Sequence, residues 1–244
     1  MKRTQKTVSQ DQITAFYHDL FVENQVDDFI ALSSFSVTPS LDNIVDIGGG
    51  CGFFAKALQN RINQKVKILD SDNQSFDFCR QEGIEATCGD ALKPSVVGDE
   101  KLVCFNLMLH HLVGKSDHET YKMQGHALVV WHSTVHAVFV NEYIYESYVF
   151  NNFSGWLIYQ ITSNSLLSGL GRLVAKLSPS LKANTFGVGV RFRSHKEWCK
   201  LFESLGFKVV GTKTGEEEFV SLPRRLLLIK NCRRDSFLLK PVRK

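Results

Sequence analysis

The chain reads as an α/β protein built on a doubly wound, mainly parallel sheet. Two observations carry that reading. The first is the run Ile44-Val45-Asp46-Ile47-Gly48-Gly49-Gly50-Cys51-Gly52-Phe53-Phe54, where an apolar strand meets a glycine-rich turn and then a helix. The second is a regular alternation of short apolar runs with helical patterns from residue 43 to 140, which resumes from 195 to 230.

Residues 11–36 carry Phe16, Leu20, Phe21, Val26, Phe29, Ile30 and Leu32 at roughly helical spacing, and Pro39 closes the segment. The first strand is expected over 43–47, with its helix over 52–62 on Phe53, Phe54, Ala57 and Leu58. Val66 to Asp70 is the second strand. A helix over 73–82 stops at Gly83, a C-cap residue. A short third strand covers 84–88, and Leu102 to Leu107 is the fourth. Ser116-Asp117-His118-Glu119 has capping-box spacing and opens a helix toward residue 131. Ala137 to Val140 is the fifth strand.

Residues 145–190 break the rhythm. Tyr148, Phe150, Phe153, Trp156 and Tyr159 precede a stripe of Leu166, Leu167, Leu170, Leu173, Val174 and Leu177 at helical spacing. An insertion of this length is expected to cap a binding site. A helix over 195–205 then ends at Gly206, Phe207 to Val210 is a strand, and Arg225 to Lys230 is expected as the last strand. The organisation is therefore an N-terminal helical lid (1–40), a core (41–147), a helical cap (148–194) and the rest of the core (195–244).

The 244 residues fit one large domain, and 43% hydrophobic with 22% charged residues is an ordinary soluble composition. A net charge of +4 is too small to imply nucleic acid. Six cysteines at 51, 79, 88, 104, 199 and 232 lack C-x-x-C spacing and read as reduced thiols of a cytoplasmic protein. The start MKRTQKTVSQDQ has no apolar h-region. Ser147 to Gly171 is uncharged, but Asn151, Asn152, Gln160 and Asn164 argue against a transmembrane span. His118, His126, His132 and His136 have no carboxylate or cysteine at ligand spacing, so no metal is expected.

The residue types at the strand ends suggest chemistry. Gly48 can take the dihedrals of a tight turn, and Gly50 lets a ligand approach the backbone without meeting a Cβ. Asp70 stands twenty-four positions after Asp46 and can accept hydrogen bonds from two ribose hydroxyls. Asp72 competes for that role, or caps the next helix. Asp90 ends the third strand. The fourth ends in Asn106-Leu107-Met108-Leu109-His110-His111, and a histidine there suits a general base. Glu142 and Tyr143 follow the fifth strand, where Glu142 would orient an acceptor or act as a base. Arg191 and Arg193 share one face of an extended segment and can grip an anionic group.

Gly48-x-Gly50-x-Gly52 after Asp46, with Asp70 and Asp90 at the next two strand ends, resembles the class I S-adenosylmethionine-dependent methyltransferases over roughly 40–145 and 195–231. The spacing differs from the G-x-G-x-x-G of nicotinamide enzymes. The resemblance implies a Rossmann-like sheet with a reversed final strand. It assigns Asp46, Gly48, Gly50, Gly52, Asp70, Asp90, Ala91 and Asn106 to S-adenosylmethionine. His110, His111 and Glu142 are the expected catalytic groups. Tyr17, Tyr143, Arg191 and Arg193 are expected to face a small-molecule acceptor methylated on O or N. Asn106-Leu107-Met108-Leu109 lacks the Asn/Asp-Pro-Pro-aromatic pattern of base-amine methylases, so nucleic acid is not the expected partner. Two alternatives stay open: an RNA methyltransferase, since residues 221–244 hold eight Lys or Arg against one Asp, and a cofactor-binding protein without chemistry.

Overall fold

The computed structural model describes residues 19–34, 43–150, 152–164 and 189–243. Its strands are β1 (Ile44–Ile47), β2 (Val66–Asp70), β3 (Ala86–Cys88), β4 (Leu102–Asn106), β5 (Ala137–Ser147), β6 (Phe207–Thr214) and β7 (Ile229–Pro241). The helices are α1 (Asp19–Ser34), α2 (Phe53–Ile62), α3 (Phe76–Gln81), α4 (Asp117–Val129), α5 (Phe153–Ser163), α6 (His195–Ser204) and α7 (Leu222–Leu226). The strands form one sheet in the order β3-β2-β1-β4-β5-β7-β6. The first five pair in parallel, and β7 runs antiparallel to both its neighbours.

Both faces of the sheet are covered, which is why β1 is buried at all four positions. On one face, Phe29 of α1 meets Phe54 of α2 and Phe139 of β5 edge-on, with centroids at 6.1 and 5.3 Å. On the other, Trp131, Trp198, Phe202 and Phe237 fill the space under α4 and α6. The ends of α6 are well specified. Ser194 accepts the Glu197 N–H while the Glu197 carboxylate accepts the Ser194 N–H, a full capping box worth about 1 kcal/mol. At α4 the box is half made: Ser116 accepts from Glu119 N, but the Glu119 carboxylate takes Lys115 N instead.

Three differences from the sequence reading matter. The run 225–230 is not the last strand. Residues 222–226 turn into α7, which leaves Leu222 and Leu226 exposed, and the strand is 229–241. The basic stretch 229–241, expected as strand only to Lys230, is consequently paired on both sides. It is an interior strand whose Phe237, Leu238 and Leu239 are fully buried. The third difference is in β5, which runs to Ser147 rather than stopping at Val140, because β7 pairs along its whole length.

β5 therefore outruns β4, which ends level with Asn141. The edge left beyond β4 is taken by the segment 190–193. Tyr145 N donates to Arg193 O at 3.1 Å, and Arg191 N donates to His110 O at 2.9 Å. This return segment closes the carboxyl end of the sheet around the turn at 109–111. Among the described residues, no helix is long and apolar enough to cross a membrane. The stripe from Leu166 to Leu177 lies outside the described residues.

Candidate functional site at the carboxyl end of the sheet

The glycine turn sits between β1 and α2. Gly48, Gly50 and Gly52 have φ of +72, +52 and +78°, in the left-handed region that disfavours side chains. They differ in what a Cβ would meet. At Gly52 it would fall 2.7 Å from Ile68 Cδ1 and 2.9 Å from Ile84 Cδ1, so this glycine serves strand–helix packing. At Gly50 it would meet nothing within 4 Å, so the backbone is open to a ligand.

Asp70 closes one side of that turn. Its Oδ2 accepts from Gly50 N at 2.9 Å and its Oδ1 from Asp72 N at 2.8 Å. Each oxygen keeps a second lone pair, and the side chain is half-buried. Asp72 thus contributes its backbone to holding Asp70. Asp90 is exposed and accepts Leu92 N through Oδ1 at 2.8 Å, with half-buried Ala91 between them.

Asp46 lies under the turn and is 1% exposed. Burial, with the nearby Asp70 charge, pushes its carboxyl up to about 7, against the hydrogen bond that Asn106 Nδ2 donates to Oδ1 at 3.0 Å. The other end of that amide is unusual. Asn106 Oδ1 is buried and has no hydrogen-bond partner. A lone buried acceptor beside a turn open to a ligand fits a donor from outside the chain, such as an ammonium group.

The turn 109–111 carries both expected histidines. Glu142, fully buried on β5, accepts Leu109 N at 2.6 Å through Oε1 and engages His110 Nδ1 at 2.7 Å through Oε2. With the Nδ1 proton on that carboxylate, His110 presents a lone pair at Nε2. Glu142 is therefore placed to orient His110, with both its oxygens engaged inside the chain. Phe192 stacks on the His110 ring at 4.9 Å, and His111 lies at 4.1 Å. The His111 ring is exposed, yet burial, and secondarily His110, lowers its pKa well below the usual histidine value.

Tyr143 is half-buried 6.1 Å from His110, and burial raises its phenol pKa. Tyr17 lies outside the described residues. Arg191 and Arg193 do share a face, but it points inward. Arg191 is 1% exposed, with Nε on Asp117 at 2.7 Å and Nη2 on Glu197 at 3.2 Å. Arg193 is 3% exposed, with Nε on Gln124 Oε1 at 2.7 Å, and burial, with Arg191 next to it, lowers its pKa to about 10. The structure thus corrects the expectation that these two guanidinium groups grip an acceptor: they join the return segment to α4 and α6.

Two groups escaped the sequence reading. Fully buried Gln124 donates to Leu109 O at 3.0 Å while accepting from Arg193, so it supports the histidine turn from below. Its signal was a polar residue on the buried stripe Thr120, Gln124, Ala127, Leu128 of α4. Gln25, Asn141, Ser236 and Asp28 form a hydrogen-bonded chain at 3.0, 2.8 and 2.7 Å, pinning α1 to the end of the sheet. No local pattern marks residues so far apart. Among the described residues, no three His, Cys, Asp or Glu side chains cluster as a metal site.

No protein-family model and no curated protein matches this chain. Solved structures do. An S-adenosylmethionine-dependent methyltransferase from Clostridium acetobutylicum superposes with a TM-score of 0.58 at 9% identity, covering 94% of each chain. Magnesium protoporphyrin IX methyltransferase (ChlM) from Synechocystis, solved with bound S-adenosylhomocysteine, gives 0.53 at 14%, covering 98% of this chain and 90% of that one. The [4+2]-cyclase SpnF gives 0.56 at 10%, covering 99% and 86%. The fold is that of the class I S-adenosylmethionine-dependent methyltransferases. It also houses a cyclase, so the reaction has to be argued from the site.

Proposed function

We propose that this chain is an S-adenosylmethionine-dependent methyltransferase acting on an O or N atom of a small, partly apolar acceptor. Supporting the cofactor are the open backbone at Gly50, the spare lone pairs of Asp70 for ribose hydroxyls, and the unpartnered Asn106 Oδ1 for the ammonium group. Asp90 Oδ2 is available for the adenine amino group. Bound S-adenosylmethionine supplies an electrophilic methyl group on a sulfonium.

The chain's own residues supply the rest. The observation that carries the reaction is the His110–Glu142 pair, four residues beyond Asn106 at the same end of the sheet. His110 Nε2 takes the proton of an acceptor hydroxyl or ammonium, and the buried Glu142 carboxylate holds the ring in that tautomer and stabilises the imidazolium. His111 and Tyr143 line the acceptor side with partly apolar surface. The basic tail was the support for RNA. Most of it, residues 229–241, is a sheet strand, with Arg233 on Asp235 at 2.9 Å and Arg234 near Glu218 at 3.5 Å.

Calorimetry with S-adenosylhomocysteine and S-adenosylmethionine, with NAD as control, tests the cofactor. Micromolar binding of both and none of NAD is expected. Absence of binding overturns the proposal. Binding without transfer of a labelled methyl group to any small-molecule or RNA pool would instead leave a cofactor-binding protein without chemistry.

A further inference from the structure

Charged groups that the proton transfer does not use gather around Tyr143. In the β5–β7 pairing Tyr143 lies opposite Arg234, and Tyr145 opposite Cys232. The Arg234 guanidinium rests on the Phe21 ring of α1 at 3.5 Å and lies 5.7 Å from the Tyr143 ring. From α7, Arg224 Nη1 donates to Cys232 Sγ at 3.6 Å. Burial raises the Tyr145 phenol pKa, and the Arg224 charge is the largest influence opposing it, so this guanidinium stands close to both side chains. Glu218 reaches both arginines, at 3.5 Å from Arg234 and 3.7 Å from Arg224.

These groups are mostly buried and incompletely satisfied. The side chains of Arg234, Arg224 and Glu218 are 17, 22 and 27% exposed. Glu218 Oε1 is buried and makes no hydrogen bond, so its ion pair with Arg234 leaves donors of that guanidinium unused. Glu217 is exposed and taken by Asn231, and Glu216 is exposed as well. Arg233 alternates to the other face of β7, where Asp235 holds it. Two guanidinium groups against the Glu218 carboxylate leave one positive charge, which a monoanion balances better than a phosphate dianion. The cluster also adjoins the base. The Tyr143 ring is 6.1 Å from that of His110, and Phe192 bridges His110 at 4.9 Å and Tyr145 at 4.3 Å. A molecule lying against Tyr143 would reach both His110 and Arg234.

We propose that the methyl acceptor is a carboxylic acid: its carboxylate binds Arg234 and Arg224, and its hydroxyl or amine meets His110. This acceptor class rests on the methyltransferase reading and narrows it. A guanidinium fork pairs a carboxylate through two charge-assisted hydrogen bonds, and Phe21 holds the Arg234 fork in place beforehand. An amine bound on Glu218 fits less well, since both guanidinium groups would repel it.

The full chain is titrated with 4-hydroxyphenylacetate and hexanoate, each beside its primary amide, and binding is followed by ligand-observed nuclear magnetic resonance with and without S-adenosylhomocysteine. Each acid is expected to bind about ten-fold or more tighter than its amide. Arg234→Gln should abolish that preference and Arg234→Lys should keep part of it, with S-adenosylhomocysteine affinity unchanged in both. Arg224→Gln should weaken the preference too, and serves where Arg234→Gln does not fold. If Arg234 only anchors α1 through Phe21, melting falls in Arg234→Gln while the acid-to-amide ratio stays, and the proposal is overturned. No binding of either acid, equal binding of acids and amides, or tighter binding of phenyl phosphate than of the acids overturns it as well. Should S-adenosylhomocysteine itself fail to bind, the methyltransferase reading falls, and the acid-to-amide ratio of the free chain still decides the carboxylate site.

Discussion

Replacing Glu142 by Gln changes one atom and removes one acceptor. Two donors face this carboxylate, Leu109 N at 2.6 Å and His110 Nδ1 at 2.7 Å. A carboxylate serves both, whereas an amide has one acceptor oxygen. Whichever way the amide turns, one N–H would face another unless His110 moves its proton to Nε2. The short charge-assisted bonds are worth roughly 1.5–3 kcal/mol each, and a neutral bond about 1. The expected loss of stability is therefore about 1–3 kcal/mol, read by chemical denaturation. The tautomer change costs more in function, because Nε2 then carries a proton and cannot accept one. A loss of about 10²–10⁴ in kcat is expected with unchanged S-adenosylhomocysteine affinity. Nitrogen-15 shifts of His110 report the tautomer directly, before any acceptor is known. An unchanged tautomer in E142Q, or turnover within about two-fold of wild type, would refute the dyad.

Four further expectations separate ligand-facing from structural roles. Gly50→Ala should lower S-adenosylhomocysteine affinity about ten-fold or more by filling the open approach, at a backbone cost of about 1–2 kcal/mol. Gly52→Ala carries the same backbone cost plus an overpacking cost of about 1–3 kcal/mol against Ile68 and Ile84, and melting should show it. Asp46 is raised from 3.8 to about 7, so across that window the folded state holds a proton that the unfolded chain has released. Stability conferred by this proton is complete below the lower value and is lost as pH rises toward the upper one, by at most about 4 kcal/mol. Denaturation across this window should show the slope, and Asp46→Asn should flatten it. Arg191→Ala should destabilise by about 1–3 kcal/mol, because it removes a buried guanidinium bonded to Asp117 and Glu197 and leaves Glu197 only Ser194 N and the more distant Arg193. A change confined to the KM of the acceptor would restore Arg191 to a substrate role.

The parallel half of the fold was legible because its signals are local. Apolar runs end at the glycine turn, Asp70 and Asn106; α2 and α3 start within about six residues of the first two, and the 109–111 turn follows the third. The reversed half was hidden by its charges. Asn231, Arg233, Arg234 and Asp235 show no apolar alternation, yet Asp235 is fully buried between His195 at 2.7 Å and Arg233 at 2.9 Å. Cross-strand partners at such sequence distance leave no period to read. The same limit misassigned the arginines. Their shared face followed from extended spacing, but the direction of that face is set by Asp117, Gln124 and Glu197 on other elements. For the histidine turn, the residue types gave the candidates, and only the pairing with Glu142 divides base from orienting group.

The placement of β7 has a consequence for how the protein comes into being. β5 and β6 are both synthesised before the strand that joins them. Until residues 229–241 leave the ribosome, β5 offers an open edge from Val138 to Ser147, and β6 has no partner at all. Glu142 lies opposite Asp235 in that pairing, so its surroundings remain incomplete for as long. Interrupted translation would release a chain with a sticky edge and no assembled dyad, a substrate for chaperones and proteases. The site is then complete only once residues 229–241 have been made and paired.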